Sequence, residues 1–230
     1  MKDKKKNQKS KDLTLVIPAK NEFESLPSVL SELKKYNLKT KVVLEKSDIE
    51  TIKSIKRFDC QIIYQSGKGY GNALIEGIKS TKTKYFCIFN ADGSFNPNEL
   101  DNMLFTLINK KKDIIFASRY LDNASSDDDT LITYVGNQIF TLIGKIFFRL
   151  EISDILYTYL IAKTKEVKQL NIQSKDFRFC VELPIKASRK KLKFFSVASH
   201  ERSRIGGKKK VNAFRDGFLI LKKLIELYFN

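Results

Sequence analysis

Short apolar runs alternate with stretches of helical spacing through the first half of this chain, and the alternation predicts its architecture. Leu13–Pro18 (LTLVIP) is a continuous apolar run closed by a proline, the pattern of a strand buried on both faces. Residues 41–44, 61–64, 85–89 and 113–117 predict four more strands. Between them, Leu26, Val29, Leu30 and Leu33 keep helical spacing after Asn21-Glu22, and Ile49–Ile55 predicts a short helix. Ala73, Ile75 and Ile78 mark a helix behind the glycine-rich turn 67–71, and 98–109 predicts another. Strands alternating with helices predict an α/β domain on a mostly parallel central sheet flanked by helices. Ligands bind such sheets at the carboxyl ends of the strands, where Pro18, Glu45, Gly67 and Asn90 fall.

Beyond residue 120 the pattern changes. Residues 123–129 (NASSDDD) form a polar, acidic loop, and 134–150 predict a helix heavy in Ile, Leu and Phe, with Lys145 and Arg149 on one side. Its expected place is the core, with a membrane-facing helix as the alternative. Residues 176–188 predict a helix carrying Glu182, and 192–197 the last strand. Ala213–Phe229 is an amphipathic helix with Phe214, Phe218, Leu221, Ile225 and Tyr228 on one stripe. Asp216 in its first turn and Lys222-Lys223 further on suit the helix dipole. The stripe either packs on the domain or lies on a bilayer. The expected organisation is a basic tail (1–12), a domain (13–212) and this C-terminal helix (213–230).

Composition narrows the function classes. A length of 230 residues fits one domain with an ample core, and 42% hydrophobic with 30% charged residues describes a soluble globular protein. The net charge of +17 is concentrated: six lysines fall in the first eleven residues, and ten basic residues against one acid lie between 186 and 210. Such patches attract nucleic acid, anionic lipid or phosphate-bearing substrates. No nucleic-acid-binding module accompanies the charge, so no nucleic-acid partner is expected. The basic N-terminus lacks the apolar segment of a signal peptide. Three scattered cysteines (Cys60, Cys87, Cys180) read as reduced thiols, and a single histidine argues against zinc. No apolar run approaches the ~18 residues of a membrane span, so the expected location is cytoplasmic, with any membrane contact peripheral.

The chemistry concentrates at 85–97, YFCIFNADGSFNP. The apolar run stops at Asn90-Ala91-Asp92, two oxygen-bearing side chains spaced i, i+2, which on a strand point the same way. That geometry suits holding Mg²⁺ or Mn²⁺ against a diphosphate, because both cations prefer hard oxygen ligands. Gly67-Lys68-Gly69 puts flexible backbone and a cation before a helix, as a phosphate-facing loop or an ordinary surface turn would.

Six segments in order resemble the family 2 glycosyltransferases of the GT-A fold, in the branch like dolichyl-phosphate mannose synthase. They are LVIPAKNE (15–22), GKGYGNALIEGI (67–78), NADGSFNPNEL (90–100), ASRY (117–120), SD (153–154) and ERSRIGGKKKVNAFRDGF (201–218), spanning 13 to about 225. The resemblance implies a Rossmann-like GT-A fold and a nucleoside-diphosphate sugar donor. It implies donor contacts from Pro18, Lys20, Glu22, Glu45, Lys68, Asn90, Asp92 and, loosely, Glu182. It implies a divalent cation on Asn90, Asp92 and Ser94. Arg119, Arg202, Arg204 and Lys209, with Lys208 and Lys210, match phosphate-handling positions, the last five in a mobile loop around Gly206-Gly207. His200 stands beside that loop in a supporting place at most. The implied reaction inverts the anomeric centre, and the implied acceptor is a polyprenyl (dolichyl or undecaprenyl) phosphate, reached at the inner membrane face or through a membrane-protein partner. This points to cell-envelope glycan biosynthesis.

Three departures bear on that implication. Asn90 stands where the family has Asp, removing a negative charge and weakening the hold on a cation. Glu45-Lys46-Ser47-Asp48 replaces Asp-Asp-Gly-Ser. Ser153-Asp154 is followed by ILYTYLIAK, without the usual Gly and Arg, which leaves the acceptor less fixed than the donor. A glycan hydroxyl acceptor would need a carboxylate base, for which Glu182 or Asp154 would have to serve. A non-catalytic nucleotide-sugar-binding protein is the remaining alternative.

Overall fold

The computed structural model describes residues 12–207 and 209–230, so the basic tail through residue 11 and Lys208 lie outside it. Strand β1 (Leu13–Pro18) is buried at every position, as its unbroken apolar run requires. It is followed by α1 (Leu26–Leu33), β2 (Lys39–Leu44), α2 (Ile49–Ile55), β3 (Gln61–Tyr64), α3 (Tyr70–Ser80), β4 (Tyr85–Ile88), α4 (Leu100–Asn109) and β5 (Ile114–Ser118). The second half contributes β6 (Ser125–Ser126), α5 (Leu131–Phe148), β7 (Leu160–Lys163), α6 (Thr164–Lys168), α7 (Phe179–Arg189), β8 (Phe194–Ala198), β9 (His200–Glu201) and α8 (Ala213–Phe229).

Seven strands form one sheet in the order β3-β2-β1-β4-β7-β5-β8. All pairings are parallel except those of β7, which runs antiparallel between β4 and β5. Alternating β1 side chains serve opposite cores. Leu15 and Ile17 join Leu30 and Met103 of α1 and α4, whereas Val16 joins Leu74, Val181 and Leu224 of α3, α7 and α8. β6 and β9 form a separate parallel ribbon that ties the acidic loop to the basic segment after β8.

Helix α5 departs from expectation. It begins at Leu131, earlier than predicted, because Thr130 caps it by accepting from Thr133 N. Rather than entering the core, it turns its polar and small side inward: Asn137, Thr141 and Gly144 are its buried residues. Asn137 donates to Asp154 and accepts from Leu156 N, while Thr141 Oγ1 accepts from Ile155 N. A Cβ at Gly144 would sit 3.0 Å from Ile155 Cδ1, so glycine permits the close approach. The apolar side faces outward, with Leu131 77% and Ile146 62% exposed. Its 18 residues meet the length and composition of a membrane span, unlike the sequence expectation. Helix α8 packs through Ile220, Leu224 and Leu227 and leaves its predicted stripe outside, with Phe214 80% and Phe218 69% exposed. The two helices lie side by side, the Phe147 and Tyr228 rings 5.5 Å apart.

Candidate active site

A cavity of about 860 Å³ opens at the carboxyl ends of β1, β2 and β4, where Pro18, Glu45 and Asn90 stand. Its size fits a ligand of nucleotide-sugar dimensions. Lys20 and Glu45, 3.4 Å apart, line one end, and Glu22 lies nearby, fixed by Ser25 Oγ and facing Lys210 at 3.0 Å. Thr133 and Asn137 of α5 and Arg215, Asp216 and Leu219 of α8 also line the cavity. It is therefore bordered by the sheet and by residues of both α5 and α8.

Asn90, Asp92 and Ser94 all line it. Ser94 donates to Asp92 Oδ1 from its N (3.0 Å) and its Oγ (2.7 Å), so it orients that carboxylate. Tyr70 Oη reaches Asn90 Oδ1 at 3.5 Å and shares a 2.6 Å hydrogen bond with Thr158.

Segment 202–205 runs along 92–94. Arg202 N donates to Ser94 O and Ile205 N to Asp92 O, both at 2.8 Å. Gly93 is in the left-handed region (φ +85°), and a Cβ there would meet Ile205 Cδ1 at 2.5 Å, so this seat requires glycine. The strap so anchored brings Arg204 to Asp92 and Asp128, each at 3.4 Å, and Lys209 to 3.6 Å from Asp128. Three cations thus pair with three cavity carboxylates. A diphosphate would offer Arg204 a bidentate partner and Lys209 and Lys210 a more highly charged one.

Arg119 lines the cavity but is clamped, with Nε 2.7 Å from Asp154 and Nη1 3.1 Å from Glu201. Burial disfavours its charge, and the two carboxylates outweigh that penalty and hold the guanidinium protonated. Burial raises the Glu201 carboxyl above its usual range against the opposing pull of Arg119 and Ser126. Burial also pushes the Cys180 thiol up to about 12, which keeps it protonated and unsuited to nucleophilic work.

Three predicted residues lie elsewhere. Lys68 is exposed and does not line the cavity. The neighbouring glycines serve packing instead: a Cβ at Gly69 or Gly71 would come within 2.3 Å of a carbonyl in 174–175, and Asn72 N donates to Lys175 O. Arg202 turns away to Glu32 (3.0 and 3.1 Å) and Phe95 O. Glu182 is fully buried and accepts from Gln173 N and Ser174 N, with Lys186 Nζ at 2.6 Å. It organises the turn before α7 and does not line the cavity. His200 sits on the ribbon, sharing a hydrogen bond with Ser125 and facing Asp127.

Glu182 carries a pH prediction. Burial alone would raise its carboxyl, but Lys186 and the Ser174 and Gln173 donors outweigh burial and hold it below its ordinary value. Its stabilising contribution is therefore present above the ordinary carboxylate value and lost as pH falls through the depressed one. Thermal unfolding from pH 7 to pH 3 should show Glu182→Gln less stable than wild type near neutrality, with the gap narrowing in acid.

The sequence reading missed several lining residues. Asp128 and Asp129 sat in what read as a plain acidic loop, and Glu201 was masked by its basic neighbours; β6–β9 pairing brings them in. Tyr70 and Phe177, stacked at 5.0 Å, also line the cavity.

A divalent cation would find two oxygen donors here, Asp92 and Asn90, one of them charged. Among the described residues no group of three or more His, Cys, Asp or Glu is placed to hold a metal. Mg²⁺ commonly binds through one or two carboxylates plus substrate phosphates and water. The donor set fits a cation that arrives with a diphosphate.

The glycosyl transferase family 2 profile matches residues 14–169, well over half of the chain. The chain belongs to glycosyl transferase family 2. An uncharacterized glycosyltransferase of Mycobacterium bovis is 24% identical over 208 residues, covering 90% of this chain and 93% of that protein. An uncharacterized protein of Methanocaldococcus jannaschii is 28% identical over 137 residues, 57% of this chain and 56% of that one. Glucosyl-3-phosphoglycerate synthase from Mycobacterium tuberculosis, solved with Mn²⁺, UDP and glucosyl-3-phosphoglycerate, has a TM-score of 0.73 at 12% identity, covering 94% of this chain and 79% of that one. Its complex with Mn²⁺, UDP and phosphoglyceric acid gives 0.70 at 13%, covering 94% and 78%. This family 2 glycosyltransferase therefore has the GT-A fold, with a seven-stranded mixed sheet and flanking helices.

Proposed function

We propose that this family 2 glycosyltransferase moves a sugar from a nucleoside-diphosphate sugar to a polyprenyl phosphate at the cytoplasmic membrane surface, as its dolichyl-phosphate mannose synthase-like motifs imply. One observation carries the acceptor: α5 and α8, which both line the cavity, turn apolar residues outward. An acceptor with a phosphate head and an apolar tail matches a polar cavity that opens beside such a surface. Lys145, Arg149, Arg215 and Lys222 are exposed on the same helices and would favour anionic lipid, at roughly 1 kcal/mol per residue near the surface. Because the buried contacts of Asn137, Thr141 and Gly144 tie α5 to the domain, it would lie in the interface and not cross it.

An acceptor phosphate has its second pKa near ~6, so it is anionic at neutral pH and needs no general base. Its oxygen would bond to the anomeric carbon as the bond to the diphosphate breaks, inverting that centre. Arg204, Lys209 and Lys210 would exchange their carboxylates for the departing diphosphate. Asp92 and Asn90 would hold the cation, which supplies charge stabilisation when bound. The hydroxyl-acceptor alternative is disfavoured, because Asp154 and Glu182, its two candidate bases, are committed to buried ion pairs. The solved relatives bind UDP, so UDP-sugars are the first donors to try.

The surface is testable by flotation with vesicles of neutral and anionic phospholipid. Wild type should float, and Leu142→Glu/Phe218→Glu should bind at least about tenfold more weakly, since each large apolar side chain contributes ~1.5–3 kcal/mol on burial. Equal flotation of both proteins would overturn the membrane reading.

A further inference from the structure

Asp92 is the one carboxylate in the corner 90–94, and both its oxygens are engaged. Oδ1 accepts from Ser94, and Oδ2 lies 3.4 Å from Arg204 Nη2. The pair is partly buried, with side chains 15% and 23% exposed, so water and salt screen it less than a surface pair. Arg204 cannot drift off easily: Asp128 holds its Nε and the same Nη2, and the Ile205 N to Asp92 O hydrogen bond pins the backbone next to it. Because Asn90 is neutral, the corner carries a single negative charge, and Arg204 cancels it. A divalent cation approaching Asp92 meets a carboxylate already matched and a guanidinium that repels it.

A nucleoside diphosphate changes this balance. Its oxygens bind a guanidinium in bidentate fashion, and its charge exceeds that of Asp92. Once Arg204 turns to the phosphates, the Asp92 carboxylate is free, and the phosphates add oxygen ligands of their own. We propose that Arg204 competes with the divalent cation for Asp92, so that the enzyme holds the cation only together with the nucleotide that draws Arg204 away. By linkage the effect is reciprocal, and the cation tightens the nucleotide by the same factor. Asn90 fits this arrangement, since a second carboxylate would hold a cation without nucleotide. Arg204 is thus a positioning residue for the cation as well as a phosphate ligand. The inference rests on reading the cavity as a nucleotide-sugar site and is independent of the acceptor.

The test is isothermal titration of the full chain with Mn²⁺ alone, and then with Mn²⁺ in saturating UDP. Arg204→Gln should bind Mn²⁺ alone on the order of tenfold more tightly than wild type, within the usual range of coupling between sites. The tightening produced by UDP should be correspondingly smaller in the variant. Arg204→Lys, which keeps the charge, should stay near wild type. Lys68→Gln, an equal change of net charge on the exposed loop outside the cavity, should not alter Mn²⁺ binding. The inference is overturned if Arg204→Gln binds Mn²⁺ alone no more tightly than wild type, or if Lys68→Gln reproduces the gain. Absence of UDP binding to wild type would instead count against the nucleotide reading, and the Mn²⁺-alone comparison would still decide the competition.

Discussion

Asp92→Ala is expected to lower sugar transfer by roughly 10²–10³-fold, the scale seen when one element of preorganised charge stabilisation is removed. Asp92 lies four residues beyond the end of β4, is oriented by two Ser94 donors and pairs with Arg204, and it is the carboxylate proposed to hold the cation. Its removal takes away the carboxylate proposed to hold the cation and leaves Arg204 with Asp128 alone. The fold should survive, because Asp92 lines the cavity and packs in neither core. Single-turnover transfer with circular dichroism separates the possibilities. A near-normal rate in a folded variant would mean that Asp92 is not where the departing diphosphate is stabilised.

The second large effect is on stability. Asp154 is fully buried and accepts from Arg119 Nε and Nη2, from Asn137 and from Tyr157 N. Truncating one partner of such a pair typically costs about 3–5 kcal/mol, because the other charge stays buried and unmatched. Asp154→Ala should therefore lower the unfolding midpoint by on the order of 10 °C for a chain of this size. Arg119→Ala should do nearly the same, and the double variant should lose clearly less than the sum. Additive losses would show that the two residues stabilise the fold separately. The pair locks α5 to the segment after β5, so it also fixes the cavity wall that α5 supplies. Arg119, read from the sequence as a phosphate contact, thus acts first as a clamp.

The parallel half of the sheet was legible because each strand is a short apolar run ended by a turn signal. Predicted and observed bounds agree within two residues from β1 to β5. Strand β7 was missed, since LIAK is four residues long and its antiparallel insertion between β4 and β5 leaves no local trace. Asp128, Asp129 and Glu201 could not be placed because a two-residue ribbon, β6–β9, brings together segments 75 residues apart. Periodicity identified α5 correctly as a helix but did not show which side turns inward. An apolar helix ordinarily packs its apolar side inward, and here Asn137 and Thr141 hold the polar side in by hydrogen bonds. The packing role of the turn at 67–71 was not legible, since Gly69 and Gly71 admit the backbone of 174–175, which is distant in sequence. At the centre, the motif 90–92 was legible, whereas the carbonyl and guanidinium contacts of the strap at 202–205 required the fold.

The central claim is that one cavity joins a nucleotide sugar to a lipid phosphate at the α5–α8 surface. The most direct measurement is transfer of radiolabel from UDP- and GDP-sugars to polyprenyl phosphate in anionic vesicles with Mn²⁺, run beside soluble phosphoglyceric acid as acceptor. The account predicts label in the lipid phase, at least about tenfold less for Leu142→Glu/Phe218→Glu, and none on the soluble acceptor. Label on phosphoglyceric acid with none in the lipid would contradict it.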